Sequence, residues 1–295
     1  MSKDDANRNQ RPRVGLALSG GVARGNAHVG VLRVLEENNI PIDYIAGTSA
    51  GALVAAAYAA GMTVDEIAEI GRNMRWRDIG RVTLSRLGVQ SNARMEEFAR
   101  ARLPIKRFED LRIPLAIVAT DLKTGLPVII TEGDVAFAIR ASCALPGWYV
   151  PVTDEHGRQL VDGGLVANIP TAAVRALGAD LVIAVDVNSE GAKFIGPPHS
   201  LIGVLLQSIM VVQRTAAIHQ LHDADIVISP KTGHIRWDEM GRVEELITLG
   251  ERAARSTVER IKHLLEPSIE PSLKWYQRRR RQPPPEDKRR VSPLR

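Results

Sequence analysis

A chain of 295 residues, 44% hydrophobic and 25% charged, is long enough to bury a sizeable core in one large domain or two small ones. A single cysteine, Cys143, excludes an internal disulfide, and no segment reaches the roughly 18 uncharged apolar residues of a membrane span. The net charge of +5 is uneven: from Pro271 onward nine Lys/Arg face two acids, so the tail carries +7 and the remainder −2.

In chain order, Met1 to Arg13 is a polar extension with no apolar stretch resembling a secretory signal. Val14 to Leu18 is a short apolar run ending in Ser19-Gly20-Gly21, which predicts a buried strand feeding a glycine loop. Ala27 to Glu37 repeats apolar residues at helical spacing until Asn38-Asn39 and Pro41 stop it. Ile42 to Ala46 predicts a second buried strand, followed by Gly47-Thr48-Ser49-Ala50-Gly51 and an Ala-rich helix ending near Gly61. Strand, loop and helix, repeated, is the signature of a parallel sheet with crossover helices. Thr63 to Arg107 is more polar and mainly helical in pattern. Leu115 to Thr120 and Pro127 to Thr131 predict strands joined by a turn at Lys123-Thr124-Gly125. Asp134 is placed to cap a helix to Ala141. Leu181 to Val187 and Ile226 to Ser229 predict further strands, and Leu201 to His222 and Arg242 to Leu265 long helices. The expectation is one α/β domain over residues 14–265, followed by a Pro- and Arg-rich tail, 266–295, whose composition predicts disorder.

Three glycine-bearing loops could carry chemistry. Gly47-Thr48-Ser49-Ala50-Gly51 fits a nucleophile elbow, a tight strand-to-helix turn in which flanking glycines keep a strained serine uncrowded. The hydroxyl then stands at a helix start, where amides and dipole favour negative charge. Ser19-Gly20-Gly21-Val22-Ala23-Arg24-Gly25 leaves amides unshielded and fits neither the dinucleotide fingerprint nor the P-loop. It reads as an anion nest or as an oxyanion hole beside a nucleophile. Asp162-Gly163-Gly164 follows a short strand at Leu160-Val161, and its glycines permit a sharp turn that frees the carboxylate. Alone it would be only a turn.

These three loops, with Ala27-His28-Val29-Gly30-Val31-Leu32, Ala141 to Pro146, Pro151-Val152 and Asn168-Ile169-Pro170, occur in an order and spacing that resembles the patatin-like phospholipase family. The likeness is strong from about Val14 to Val187 and departs from the family at Val22, where a third glycine is common. It implies a patatin-like fold, a three-layer α/β/α sandwich around a mainly parallel sheet. It also implies a serine acyl-ester hydrolase of phospholipase A or lysophospholipase type that needs no metal or cofactor. Under that resemblance Ser49 is the nucleophile and Asp162 its base. Gly20, Gly21 and Val22 form the oxyanion hole, and Arg24, Gly25, Gly47, Gly51, Gly163 and Gly164 support the motifs. Arg24 would either face a substrate phosphate or bond loop carbonyls.

Two other readings stay open. A Ser–His–Asp esterase would draw its base from His219, His222, His234 or His263, and a non-catalytic lipid-binding or regulatory protein would keep the fold alone. A metal at His219, His222, Asp223 and Asp225 lacks a third ligand at suitable spacing. Trp148 and Tyr149 suit either an apolar pocket or ordinary core. The tail segment Lys274 to Arg281 joins aromatics to basic residues and could tether the chain to an anionic membrane; nucleic acid is not the expected partner. A soluble cytoplasmic protein acting on phospholipid or another acyl ester, peripheral at the inner membrane surface at most, is the overall expectation. The oligomeric state is left open.

Overall fold

The computed structural model describes residues 11–190 and 197–266, without the side chain of Ile202. Pro12–Leu265 form one unit. The polar N-terminal extension up to residue 10 and the basic tail from residue 267 lie outside the described residues.

The strands are β1 (Val14–Leu18), β2 (Tyr44–Thr48), β3 (Arg81–Val82), β4 (Gly88–Ser91), β5 (Leu115–Asp121), β6 (Pro127–Ile130), β7 (Gly147–Tyr149), β8 (Val152–Thr153), β9 (Gln159–Asp162), β10 (Leu181–Val185) and β11 (Ile226–Ile228). Between them run helices α1 (Ala27–Glu37), α2 (Ala50–Ala59), α3 (Val64–Asn73), α4 (Ala93–Arg102), α5 (Val135–Ser142), α6 (Thr171–Leu177), α7 (Leu201–Leu221), α8 (Val243–Arg255) and α9 (Val258–Leu265), besides shorter turns.

The main sheet has the order β11-β10-β1-β2-β5-β9-β8, with β6 also paired to β5. From β11 to β5 all neighbours are parallel, while the pairs β5–β6, β5–β9 and β9–β8 are antiparallel. Parallel strands buried on both faces explain the near-continuous apolar runs of β1, β5 and β10. Alternate side chains then sort into two layers. Leu16, Leu18, Ile45 and Ile183 join the core under α1, α2 and α8. Ala17, Ala46, Ala116 and Ala184 turn to the opposite face, where Ala173 and Val174 of α6 and Ala217 of α7 pack. Small residues on that face let the helices sit close to the sheet. Helices α1 and α8 approach closely too: a Cβ on Gly30 would fall 2.0 Å from the Ile247 carbonyl oxygen.

The end of β5 is where the architecture becomes specific. Thr48 at the tip of β2 pairs with Val118, and Asp162 at the tip of β9 pairs with Ala119. Because β6 occupies the other edge of β5 at residues 117–120, β2 and β9 must share one edge end to end. The residue after Thr48 is therefore brought beside Asp162.

One expectation is extended and one corrected. The polar stretch 63–107 is mainly helical, and it also contains β3 and β4, which join β7 in a second sheet. Strand β4 finds its partner β7 almost 60 residues on, a pairing that no local periodicity reveals. The single helix expected from Arg242 to Leu265 breaks between Arg255 and Val258. There Ser256 and Thr257 donate their hydroxyls to the carbonyls of Ala253 and Ala254, competing with the helical ladder.

Candidate active site

The elbow between β2 and α2 holds Ser49 at φ +53°, a strained conformation for a residue with a side chain. The flanking glycines are required by contact. A Cβ on Gly47 would lie 2.4 Å from the Gly51 carbonyl oxygen, and one on Gly51 would lie 2.3 Å from that of Leu18. The turn frees the Ser49 amide from the ladder, and it donates to Ser142 Oγ over 2.8 Å. Ser142 in turn donates its hydroxyl to the Val118 carbonyl at 2.6 Å. The elbow is thereby tied to β5 through the last residue of α5.

Ser49 Oγ donates to Asp162 Oδ2 at 2.8 Å. The other carboxylate oxygen, Oδ1, accepts the Gly164 amide at 2.8 Å. Gly163 is needed because a Cβ there would meet the Val118 carbonyl oxygen at 2.1 Å. Asp162 is 3% exposed. Burial raises its pKa from 3.8 to about 6, against the opposing pull of the Gly164 amide and the Ser49 hydroxyl. Its backbone is held as well, by Thr120 Oγ1 donating to its carbonyl and by its own amide donating to Ala144.

The glycine-rich loop lies against Ser49, with an ideal Cβ on Gly20 only 3.2 Å from Ser49 Cβ. One expected oxyanion donor is corrected: the Gly20 amide donates to the Asn168 carbonyl at 3.1 Å and is already committed. The amides of Gly21 and Val22 have no hydrogen-bond acceptor among the described residues. Val22 has φ +49°, so a β-branched residue occupies the left-handed region where glycine would be unstrained. The amide of Ala50, in the open first turn of α2, is a further amide without a hydrogen-bond acceptor among the described residues, and the sequence reading did not single it out.

Arg24 is buried and lines neither cavity at Ser49. Its Nε donates to the Ile235 carbonyl at 2.9 Å and its Nη1 to Asn188 Oδ1 at 3.2 Å. Bonding to a loop carbonyl, one of its two expected roles, is what the geometry displays. Gly25 packs under the elbow, where a Cβ would stand 2.6 Å from Ala50 Cβ.

Two cavities meet at the Ser49–Asp162 pair. The larger, about 970 Å³, is walled by apolar side chains including Leu53, Ile67, Met74, Trp76 and Met240. Trp148 and Tyr149 line it and also belong to core packing, Tyr149 as a buried member of the cluster around Leu160 and Trp148 packed against it. The smaller, about 440 Å³, runs past Gly21, Asn168, Asn188 and Gln213. Val22, Ser49, Leu145, Asp162 and Trp237 border both. Trp237 was not anticipated; it sits in an irregular segment and stacks edge-on against Trp76, with ring centroids 6.0 Å apart.

No histidine lines either cavity. His28 is fully buried, bonds the Ser19 carbonyl and is pushed down to about 4 by burial. His234 pairs with Glu245 at 2.7 Å, and His219 lies near the C-terminal end of α7 with His222 directly after it. Asp225 is committed to Arg175 and to the Val182 amide. Among the described residues no group of His, Cys, Asp and Glu could hold a metal ion. No described helix is long and apolar enough to cross a membrane.

A family model described as patatin-like phospholipase matches residues 16–175. An uncharacterized NTE family protein of Mycobacterium tuberculosis is 40% identical over 184 residues, covering 61% of this chain and 51% of that protein. A lysophospholipase NTE1 of Mycosarcoma maydis is 36% identical over 184 residues, 60% of this chain and 10% of its own length. The matched segment thus spans about half the length of the mycobacterial relatives. Among solved structures, VipD from Legionella pneumophila superposes with a TM-score of 0.57 at 14% identity, covering 85% of this chain and 67% of that one. That likeness concerns the fold.

Proposed function

Because this chain belongs to the patatin-like phospholipase family, we propose that it hydrolyses lipid acyl esters through a Ser49–Asp162 dyad. The observation that carries this reading is the 2.8 Å contact between Ser49 Oγ and a buried carboxylate, at the junction of an apolar and a polar cavity. Ser49 Oγ attacks the acyl carbonyl as Asp162 takes the hydroxyl proton. A carboxylate near 6 is a stronger base than one near 3.8, which helps proton transfer keep pace with attack. The amides of Gly21 and Val22, with that of Ala50, supply donors for the developing oxyanion. Asp162 then passes its proton to the leaving alcohol. Water, deprotonated by the same carboxylate, attacks the acyl-enzyme and releases the fatty acid. The larger cavity suits the acyl chain and the smaller one the polar alcohol portion of a phospholipid or lysophospholipid.

The test is labelling of the full chain with a fluorophosphonate, followed by turnover of acyl esters of graded chain length. Wild type should label at Ser49 and favour longer chains, and Ser49→Ala should neither label nor turn over. A wild type that stays unlabelled would leave the non-catalytic binding protein as the better reading. Loss of turnover on replacing His219, His222, His234 or His263 would instead favour the histidine triad.

A further inference from the structure

The described residues expose apolar side chains on the β3–β4 hairpin, on the β5–β6 hairpin (Leu122, Leu126 and Ile129) and along α7, and the first and last of these adjoin the same short strand beside the larger cavity. The first is the β3–β4 hairpin. Leu84 at its tip is fully exposed, and Val82 and Leu87 are 79% and 58% exposed. Residues 81–91 contain no acid, and the exposed guanidiniums of Arg81 and Arg86 have no ion-pair partner among the described residues. The last is the outer face of α7, where Leu201, Val204, Leu205, Val211, Val212 and Ile218 are all exposed. Their spacing follows one helical stripe. The hydroxyls on that face, Ser208 and Thr215, donate to the carbonyls of Val204 and Val211 four residues back. They thus present no unsatisfied donor to apolar surroundings. Helix α7 has no acidic residue and a single charge, Arg214.

The β3–β4 hairpin and α7 flank β7. Strand β4 pairs with β7, placing Gly88 opposite Gly147, and α7 packs on β7 from another side. Trp148 and Tyr149 of β7 line the larger cavity, and Leu206, Met210 and Gln213 on the inner face of α7 wall the smaller one. The apolar α7 face and the apolar, basic-edged hairpin therefore lie on, or are paired to, elements that line the two cavities.

We propose that the β3–β4 hairpin and the outer face of α7 dock this protein onto an anionic lipid surface. Apolar side chains enter the boundary between headgroups and acyl chains, and Arg81 and Arg86 meet the headgroup charge. A second copy of the chain fits less well, because it would bring the same unpaired guanidiniums to the contact. The inference rests on the acyl-ester reading above, since it gives the surface a purpose, namely delivery of substrate from the layer to Ser49.

The test measures co-sedimentation of the full chain with vesicles of phosphatidylcholine alone and of phosphatidylcholine with phosphatidylglycerol. Hydrolysis of a water-soluble short-chain ester is followed in parallel. Wild type is expected to bind the anionic vesicles preferentially. Arg81→Gln with Arg86→Gln should weaken that binding roughly thirtyfold, and Leu84→Asp with Leu87→Asp at least tenfold. Soluble-ester turnover should stay within about twofold in all four substitutions, since none lies at the reacting atoms. A polarity-sensitive dye on Leu84→Cys should shift to the blue on anionic vesicles, which reads insertion directly.

Unchanged vesicle binding in the variants, or no dye shift, would overturn the proposal and leave any membrane attachment to other parts of the chain. Vesicle-free dimerisation abolished by the same substitutions would overturn it in favour of a second copy. Failure of the catalytic reading is separable: it appears as soluble-ester turnover surviving Ser49→Ala, whatever the vesicles report.

Discussion

The hydroxyl of Ser49 and the carboxylate of Asp162, 113 positions apart in sequence, are joined by a 2.8 Å hydrogen bond. Asp162 holds its second oxygen against the Gly164 amide, so the carboxylate has one oxygen for anchorage and one for the serine. The pairing follows from the end-to-end placement of β2 and β9 along one edge of β5.

Ser49→Ala should lower turnover of acyl esters by about ten-thousandfold, and Asp162→Asn by a thousandfold or more. The two losses should not add in the double variant, because the residues act as one unit. Single-turnover kinetics on a chromogenic ester checks both statements. Additive losses would mean that the carboxylate does not work through the serine.

The pH dependence follows from Asp162, at about 6 in the fold against 3.8 when unfolded. Under the proposed mechanism activity requires the carboxylate form and should fall on an acid limb near pH 6. Stability runs the other way. Below 3.8 the group is protonated in both states and burial carries no charge penalty. Between 3.8 and about 6 the unfolded chain releases a proton that the folded one keeps, so stability declines as pH rises. Above that range the charged buried group costs about 3 kcal/mol. Asp162→Asn should therefore be more stable than wild type by up to that amount at pH 8 and show no gain at pH 3.5. Urea unfolding at the two pH values measures it.

Ser142→Ala removes the acceptor of the Ser49 amide and should cost about 1–3 kcal/mol, the usual result of leaving a buried donor unpaired. Ser142 positions the elbow without touching substrate. The kinetic signature should be a lower kcat with KM nearly unchanged, read from initial rates across substrate concentration.

Val22→Gly should stabilise the protein by about 1 kcal/mol. The relief of a left-handed β-branched residue exceeds the entropy that glycine loses on folding. The amide stays in place, so turnover should be largely kept, while loss of the side chain between the two cavities should broaden chain-length preference. Denaturation midpoints and a panel of ester lengths provide the check.

Much of the fold was legible from local pattern. The apolar runs at Val14 to Leu18 and Leu115 to Thr120 are strands because parallel strands are buried on both faces, and Asp134 caps α5 through the amides of Ala136 and Phe137. The second sheet was not legible. Its strands are two to four residues long, and β4 is held by a partner far along the chain. The break between α8 and α9 escaped notice because the apolar period continues through Ser256 and Thr257.

The sequence by itself determined which residue types could do chemistry, because Ser49 and Asp162 each sit beside glycines after a short apolar run, a local pattern that marks a sharp turn. Only the tertiary structure decided how those groups are used. It spends the Gly20 amide on Asn168, ties Arg24 to the Ile235 carbonyl, and recruits Ser142 to hold the elbow. The physical reason is that a turn is specified by its own few residues. A hydrogen-bond partner, or a carboxylate's pKa, is set by whatever the fold brings within about 3 Å and by how much water it removes.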